Sequence, residues 1–187
     1  MAAAPVLLVA NHVSWLDILA LAGATGTAFV AKTEIAGWPL IGRLATINGT
    51  IFVARAERGA VRDQAAQLRA ALGGDRPATL FAEGTTGDGR TVKPFRASLF
   101  AAVAGGTVPV QPVAIEYRDP GSVLWPEGEP AGRNALRLLA RPGRIAVTLH
   151  FLPVLASDGA DRKRLAEQAE RAVAGALARR DPRQAIV

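Results

Sequence analysis

The chain has 187 residues, half of them apolar and 5% aromatic, so it can bury one sizeable core and is too apolar for disorder. It contains no cysteine, which excludes disulfides, thiolate metal sites and a Cys nucleophile. Its net charge of +6, mostly from arginine, favours an anionic partner without choosing among nucleic acid, acidic lipid headgroups and phosphorylated small molecules.

The N-terminus lacks the basic region of a secretory signal peptide. Residues 5–10 (PVLLVA) form an apolar run without helical period, which predicts a buried strand. It ends in Asn11-His12, and residues 14–21 then read as a helix. Residues 27–31 (TAFVA) predict a second strand, followed by Lys32 and the apolar loop EIAGWPLIGRL. A third strand is expected over 49–54 (GTIFVA). Behind it, RAERGAVRDQAAQLRAALGG sets Val61, Ala65, Leu68 and Leu72 at helical spacing and stops on a Gly pair.

Residues 78–82 (ATLFA) predict a fourth strand opening into a Gly- and Thr-rich loop. ASLFAAVAGG reads as a short helix and 108–115 (VPVQPVAI) as a fifth strand, where Pro109 and Pro112 suit an edge or a bulged end. Residues 97–115 are 19 uncharged positions in a row, the length of a membrane span. Gly105-Gly106 and the two prolines break that run into helix, turn and strand, so contact with a membrane would mean lying on it. Residues 119–143, rich in Pro, Gly and Arg, read as an excursion from the sheet. Residues 144–151 (RIAVTLHF) alternate as a sixth strand, and 160–180 form a charged helix with Leu165, Ala169, Val173 and Leu177 on one stripe. With no repeat, low-complexity tract or linker, the expectation is a single α/β domain over 1–187, its mixed, largely parallel sheet flanked by helices.

Polar residues gather just after three of the apolar runs: Asn11-His12 with Asp17, Arg55, and Glu83-Gly84-Thr85. In open parallel sheets the carboxyl ends of strands face the ligand crevice, so all three should fall on one side. His12 and Asp17 are too far apart to share a helical face, being separated by a net rotation of about 140°. With His12 in the loop and Asp17 in the first helical turn, the carboxylate can reach back to one imidazole nitrogen. The other nitrogen is then left to accept a proton. The same stretch also fits a helix cap, because Ser14-Trp15-Leu16-Asp17 has the Ser/Thr-x-x-Asp/Glu pattern of a capping box. Taken alone, this stretch leaves both readings open, and one carboxylate can serve both.

Arg55 or Lys32 alone reads as a solvated charge, and Glu83-Gly84-Thr85 alone as a turn. Gly84, Gly87 and Gly89 do not fit a nucleotide-binding pattern, and no nucleophile elbow occurs. Two histidines without cysteine make a poor zinc site, and His150, inside a strand pattern, reads as structural. No helix-turn-helix or aromatic RNA-binding signature accompanies the basic charge, so nucleic acid is not an expected partner.

In chain order, these stretches resemble the glycerolipid acyltransferase family typified by 1-acylglycerol-3-phosphate O-acyltransferases (lysophosphatidic acid acyltransferases). NHVSWLD matches the N-H-x-x-x-x-D block, GTIFVAR the G-x-x-F-x-x-R block, FAEGTT imperfectly the F-P-E-G-T-R block and VPVQPVAI the V-P-(V/I)-x-P-(V/I) block. They run from Asn11 to Ile115, over half the chain. Two positions depart from the pattern: Ala82 replaces the usual Pro, and Thr86 stands where many members have Arg.

The resemblance implies that His12 and Asp17 are catalytic, with His12 as general base on a lysophospholipid hydroxyl. That hydroxyl would attack the thioester of acyl-CoA or acyl-carrier protein directly, with no acyl-enzyme. Lys32 and Arg55 would hold the acceptor phosphate, while Glu83, Gly84 and Thr85 would shape its pocket. The departure at Thr86 moves part of the anion-binding expectation to Arg55, Lys32, Lys93 or Arg96. The implied reaction is acylation of 1-acyl-sn-glycerol-3-phosphate to phosphatidic acid, a step of phospholipid biosynthesis. It would use no metal and no cofactor beyond the acyl donor, on a protein associated peripherally with the cytoplasmic face of a membrane. Family members usually carry apolar or amphipathic N-terminal helices, and ten residues precede Asn11 here. Either the chain is shortened, its start is misassigned, or the loop IAGWPLIGRL and the basic surface provide the membrane contact. The alternatives are acylation of another lysolipid such as lyso-ornithine lipid, a non-catalytic lipid-binding domain, and a basic nucleic-acid module. Intact His12 and Asp17 weigh against the second.

Overall fold

Short apolar runs form strands here because the sheet is covered on both faces. β1 (Leu7–Ala10) is buried at every residue, the setting in which a continuous apolar run is stable as a strand. The computed structural model describes residues 1–3, 5–32, 37, 50–53, 72–73, 76–126 and 128–179. Apart from Leu72 and Gly73, the helix expected after the third strand lies outside the described residues, as do Arg55 and all of the loop IAGWPLIGRL but Gly37.

Besides β1, the described strands are β2 (Ala28–Lys32), β3 (Ile51–Val53), β4 (Ala78–Phe81), β5 (Val110–Tyr117) and β6 (Val147–Phe151). They form one sheet in the order β3-β2-β4-β1-β5-β6. The pairings β1–β4, β1–β5, β2–β3 and β2–β4 are parallel, and β5–β6 is antiparallel. This is the α/β fold with a mixed, largely parallel sheet that the sequence predicts.

Helices pack on both faces. α1 (Leu16–Thr25) runs a turn beyond the expected end and stops at Gly26, whose φ of 64° supplies the left-handed cap. On the same face, α2 (Ala131–Leu139) lies within the expected excursion. Leu21 of α1 and Leu138 of α2 pack with Leu8, Ala10, Phe29, Val113, Ile115 and Tyr117. The opposite face is covered by α3 (Arg162–Ala178), whose expected stripe of Leu165, Ala169, Val173 and Leu177 is buried against Leu7, Val9, Leu80 and Ala114. Asp161 caps α3, accepting hydrogen bonds from Lys163 N at 2.8 Å and Arg164 N at 3.0 Å.

Two expectations change in detail. ASLFAAVAGG is not an α-helix: Ala97–Ala102 winds as a 3-10 helix, enough to bury Phe100, and Gly105 turns the chain at a φ of 69°. β5 lies between β1 and β6 and not at an edge. Pro109 precedes the strand, and Pro112 is accommodated by a bulged end, the other expectation. The β5–β6 ladder ends at Val113↔Phe151, and an isolated antiparallel bridge joins Val110 to Leu155. Three steps on β5 thus oppose four on the facing chain, so one residue is extra. Pro112, which has no N–H to offer, sits in that interval and accepts from Leu152 N at 2.9 Å. Gln111 braces it, donating to Leu152 O at 3.0 Å and accepting from Ala2 N at 2.8 Å.

No helix among the described residues is long and apolar enough to cross a membrane. The uncharged run 97–115 is divided between the 3-10 helix, a loop and β5.

Candidate active site

Parallel pairing puts the carboxyl ends of β1, β4 and β5 at one edge of the sheet. β1 delivers Asn11 and His12 there, β4 delivers Glu83, and β5 delivers Tyr117. Asn11 is buried and takes both backbone groups of Ile115: Nδ2 donates to its carbonyl at 3.0 Å, and Oδ1 accepts from its N–H at 2.8 Å.

His12 follows in the loop, and Asp17 lies in the first turn of α1. The carboxylate reaches back, with His12 Nδ1 to Asp17 Oδ2 at 2.8 Å. Because a carboxylate only accepts, Nδ1 carries the proton and Nε2 is the basic nitrogen. The ring stacks on Phe81 with centroids 4.0 Å apart, and the His12 side chain is 18% exposed. Among the described residues Nε2 has no hydrogen-bond partner, so it is the nitrogen available to an incoming group.

Asp17 is completely buried, and four donors compensate the lost hydration. Besides His12, Oδ2 accepts from Val13 N at 2.7 Å and Ser14 N at 3.0 Å, while Oδ1 accepts from Tyr117 Oη at 2.6 Å. The Ser14 bond is half of the expected capping box. The other half is absent, because Asp17 N donates to the Ser14 carbonyl and not to its hydroxyl. One carboxylate therefore orders the helix start and holds the imidazole. Burial, then the charge and hydrogen bond of Asp17, push the Tyr117 hydroxyl far above its ordinary range, so it stays a donor. Tyr117 is absent from the residues expected at the site because the fifth strand was expected to stop at Ile115. The signal was parity: Val113, Ile115 and Tyr117 share one face of β5, and Tyr117 is the only tyrosine in the chain.

The loop after β4 grips His12 through its backbone. Glu83, 3% exposed, accepts from His12 N at 3.0 Å through Oε1 and from Lys93 N at 3.4 Å through Oε2. Gly87 N donates to the His12 carbonyl at 2.6 Å. Burial raises the Glu83 carboxyl above its ordinary range, opposed by those two N–H groups and by the charges of His12 and Lys93. Glu83 thus meets the site by fixing the main chain of His12. Gly84 has a φ of 71°, and a Cβ there would lie 2.8 Å from Arg96 Nε, so the Arg96 side chain packs over this turn. Lys93 Nζ donates to the Thr86 carbonyl at 2.8 Å, and Thr85 is exposed beside it.

The structure therefore gathers His12, Asp17, Glu83, Gly84 and Thr85 at one edge, with Lys93 and Arg96 on the same loop. Lys32 is the last residue of β2, a strand that ends toward the same side. His150 lies on β6 and contacts Glu116 across the strands, Nε2 to Oε2 at 2.9 Å. A partly exposed imidazole fixed by a buried carboxylate can take a proton from a hydroxyl and return it to a leaving group.

A family model described as Acyltransferase matches residues 1–116. The chain is similar to the lyso-ornithine lipid O-acyltransferase of Brucella abortus, with 39% identity covering 92% of this chain and 71% of the relative. It is also similar to the 1-acyl-sn-glycerol-3-phosphate acyltransferase of Neisseria gonorrhoeae, with 35% identity covering 61% of this chain and 45% of the relative. Among solved structures, the 1-acyl-sn-glycerophosphate (LPA) acyltransferase PlsC of Thermotoga maritima superimposes with a TM-score of 0.63 at 25% identity. That match covers 95% of this chain and 67% of the other.

Proposed function

Since the chain belongs to the Acyltransferase family, we propose that it moves a fatty acyl group from a thioester donor to the free hydroxyl of a lysolipid. The observation that carries this reading is the 2.8 Å contact of His12 Nδ1 with buried Asp17, which leaves Nε2 open at the carboxyl edge of the sheet.

His12 Nε2 takes the hydroxyl proton as the acceptor oxygen attacks the thioester carbonyl. The C–O bond forms and the C–S bond breaks. The thiolate of CoA or of acyl-carrier protein leaves and recovers the proton from the imidazolium. Asp17 stabilises that imidazolium at contact distance. The chain offers no cysteine for an acyl-enzyme, and the scheme invokes no metal or further cofactor. Lys32, Arg55, Lys93 and Arg96 are the cations proposed to hold an anionic headgroup, with Glu83, Gly84 and Thr85 forming the wall beside His12. A lysolipid acceptor resides in a bilayer, so the reading includes peripheral association with the cytoplasmic face, which the net charge of +6 supports.

Two acceptors fit. The motif blocks favour 1-acyl-sn-glycerol-3-phosphate, giving phosphatidic acid. Lyso-ornithine lipid is favoured by the relatives aligned over most of the chain and by Thr86 in place of an arginine. The test is mass spectrometry of lipids after incubating the protein with acyl-CoA or acyl-carrier protein and each lysolipid. A product with one acceptor identifies it. No acylated product from any pairing would overturn the reading in favour of a non-catalytic binding domain.

A further inference from the structure

α2 is held by one face and bare on the other. Asn134 and Leu138 are buried, whereas Leu136 and Leu139 are 71% and 69% exposed, more than any other large apolar residue among those described. Helical geometry places Arg133, Leu136, Leu139 and Ala140 together, on the side opposite Asn134 and Leu138. Arg133 and Arg137 on the helix, and Arg144 after it, are exposed. Arg137 is tied to the Leu124 carbonyl at 2.6 Å and to Glu129 at 3.3 Å, and Arg141 pairs with Asp119 at 3.8 Å, while the side chains of Arg133 and Arg144 make no hydrogen bond among the described residues. Residues 130–157 contain four arginines and no Asp or Glu. The helix is also braced to the catalytic turn: Trp15, between His12 and Asp17 in the chain, donates from Nε1 to Asn134 Oδ1 at 3.0 Å.

We propose that the outer face of α2 seats the protein on a bilayer bearing acidic headgroups, with Leu136 and Leu139 entering the interface and Arg133 and Arg144 meeting the phosphates. Shallow apolar side chains flanked by arginines are the pattern of a helix lying in the headgroup region. Two leucines on a nine-residue helix are too small a patch for a stable protein interface, which needs about 800 Å² on each partner. The Trp15–Asn134 bond then sets His12 at a fixed height above that surface. The proposal does not depend on the acyl-transfer reading, because seating is measured without turnover.

The chain has no cysteine, so Leu136→Cys provides a unique attachment point for an environment-sensitive fluorophore. Emission should shift to the blue with phosphatidylglycerol-containing vesicles and stay unchanged with pure phosphatidylcholine. The same probe at Lys163→Cys, an exposed position of α3, should not respond. In co-sedimentation, Leu136→Ser with Leu139→Ser should weaken vesicle partitioning by about tenfold or more. Arg133→Gln and Arg144→Gln should each weaken it about fivefold, with partitioning falling as salt rises. The probe experiment uses an otherwise unaltered chain and stands even if the serine variant folds poorly. A probe that stays unshifted while the protein sediments with vesicles would overturn the proposal. So would a blue shift that grows with protein concentration in the absence of lipid, which would assign the face to a second protein.

Discussion

Tyr117 Oη donates a 2.6 Å hydrogen bond to Asp17 Oδ1, joining residues 100 positions apart from the end of β5 to the start of α1. The bond occupies the carboxylate oxygen that His12 does not use, so the other oxygen stays turned toward the imidazole. Tyr117→Phe keeps the ring in the core and removes only that donor. Urea unfolding should show a loss of about 1–3 kcal/mol, the cost of leaving a buried charged acceptor short of one partner. Steady-state kinetics should show kcat falling while KM for the lysolipid is nearly unchanged, because Tyr117 is buried away from the acceptor.

His12→Ala should reduce acyl transfer by roughly a hundredfold to ten-thousandfold, the range for loss of a general base. Circular dichroism should stay close to the parent, while urea unfolding should show a loss of about 1–3 kcal/mol, because buried Asp17 loses the Nδ1 donor. Asp17→Asn should lose comparable activity and also stability. One amide nitrogen would replace an acceptor among four donors and face an N–H or the Tyr117 hydroxyl.

Glu83 gives a pH signature. Its folded carboxyl is raised above the ordinary value of 4.5, chiefly by burial. A raised carboxyl favours the folded state while protonated, and that contribution fades as pH climbs from the unfolded value through the folded one. Glu83→Gln lacks this dependence while keeping an oxygen for the His12 N–H. The parent should therefore lose stability relative to Glu83→Gln as pH rises above the ordinary carboxyl value of 4.5 toward neutrality. Urea midpoints of the two proteins measured across that range check the sign, and a constant difference would contradict it.

Two glycines of the loop after β4 should respond differently to alanine. Both have left-handed backbone, with φ of 71° at Gly84 and 66° at Gly89. A Cβ at Gly84 meets the Arg96 side chain, which is exposed and can swing aside. A Cβ at Gly89 would lie 2.8 Å from Pro120 Cβ and 3.1 Å from Val13 Cγ1, both packed. Gly84→Ala should cost about 1–2 kcal/mol from backbone strain alone. Gly89→Ala should cost about 1–3 kcal/mol more by overpacking and lower activity through Val13, the neighbour of His12. Thermal unfolding alongside acyl-transfer rates would separate the two.

What could be read along the chain was what neighbouring residues decide. The strands were legible because each is an apolar run bounded by turn residues, and His12 and Asp17 because five positions suffice for the contact. Tyr117 and Asn134 were not, since their bonds to Asp17 and Trp15 span 100 and 119 positions. α2 was hidden for the same reason. Its sequence includes Gly132 and Asn134, weak helix formers, and it is pinned by Asn134 bonding to Trp15, Leu124 and Glu129. The prolines of β5 pointed equally to an edge or a bulge, and only the partner strand distinguishes those.

Asn11 makes the residue before His12 as exacting as His12 itself. Its carboxamide is a peptide group on a short stem, and it completes the next rung of the β1–β5 ladder after the main chain has turned away. Aspartate would set a charge against the Ile115 carbonyl, and serine would be too short to reach both groups. The chain can thus leave the sheet abruptly, with the neighbouring strand still fully paired. The imidazole one position later inherits a mount as stiff as the sheet, although it stands on a loop.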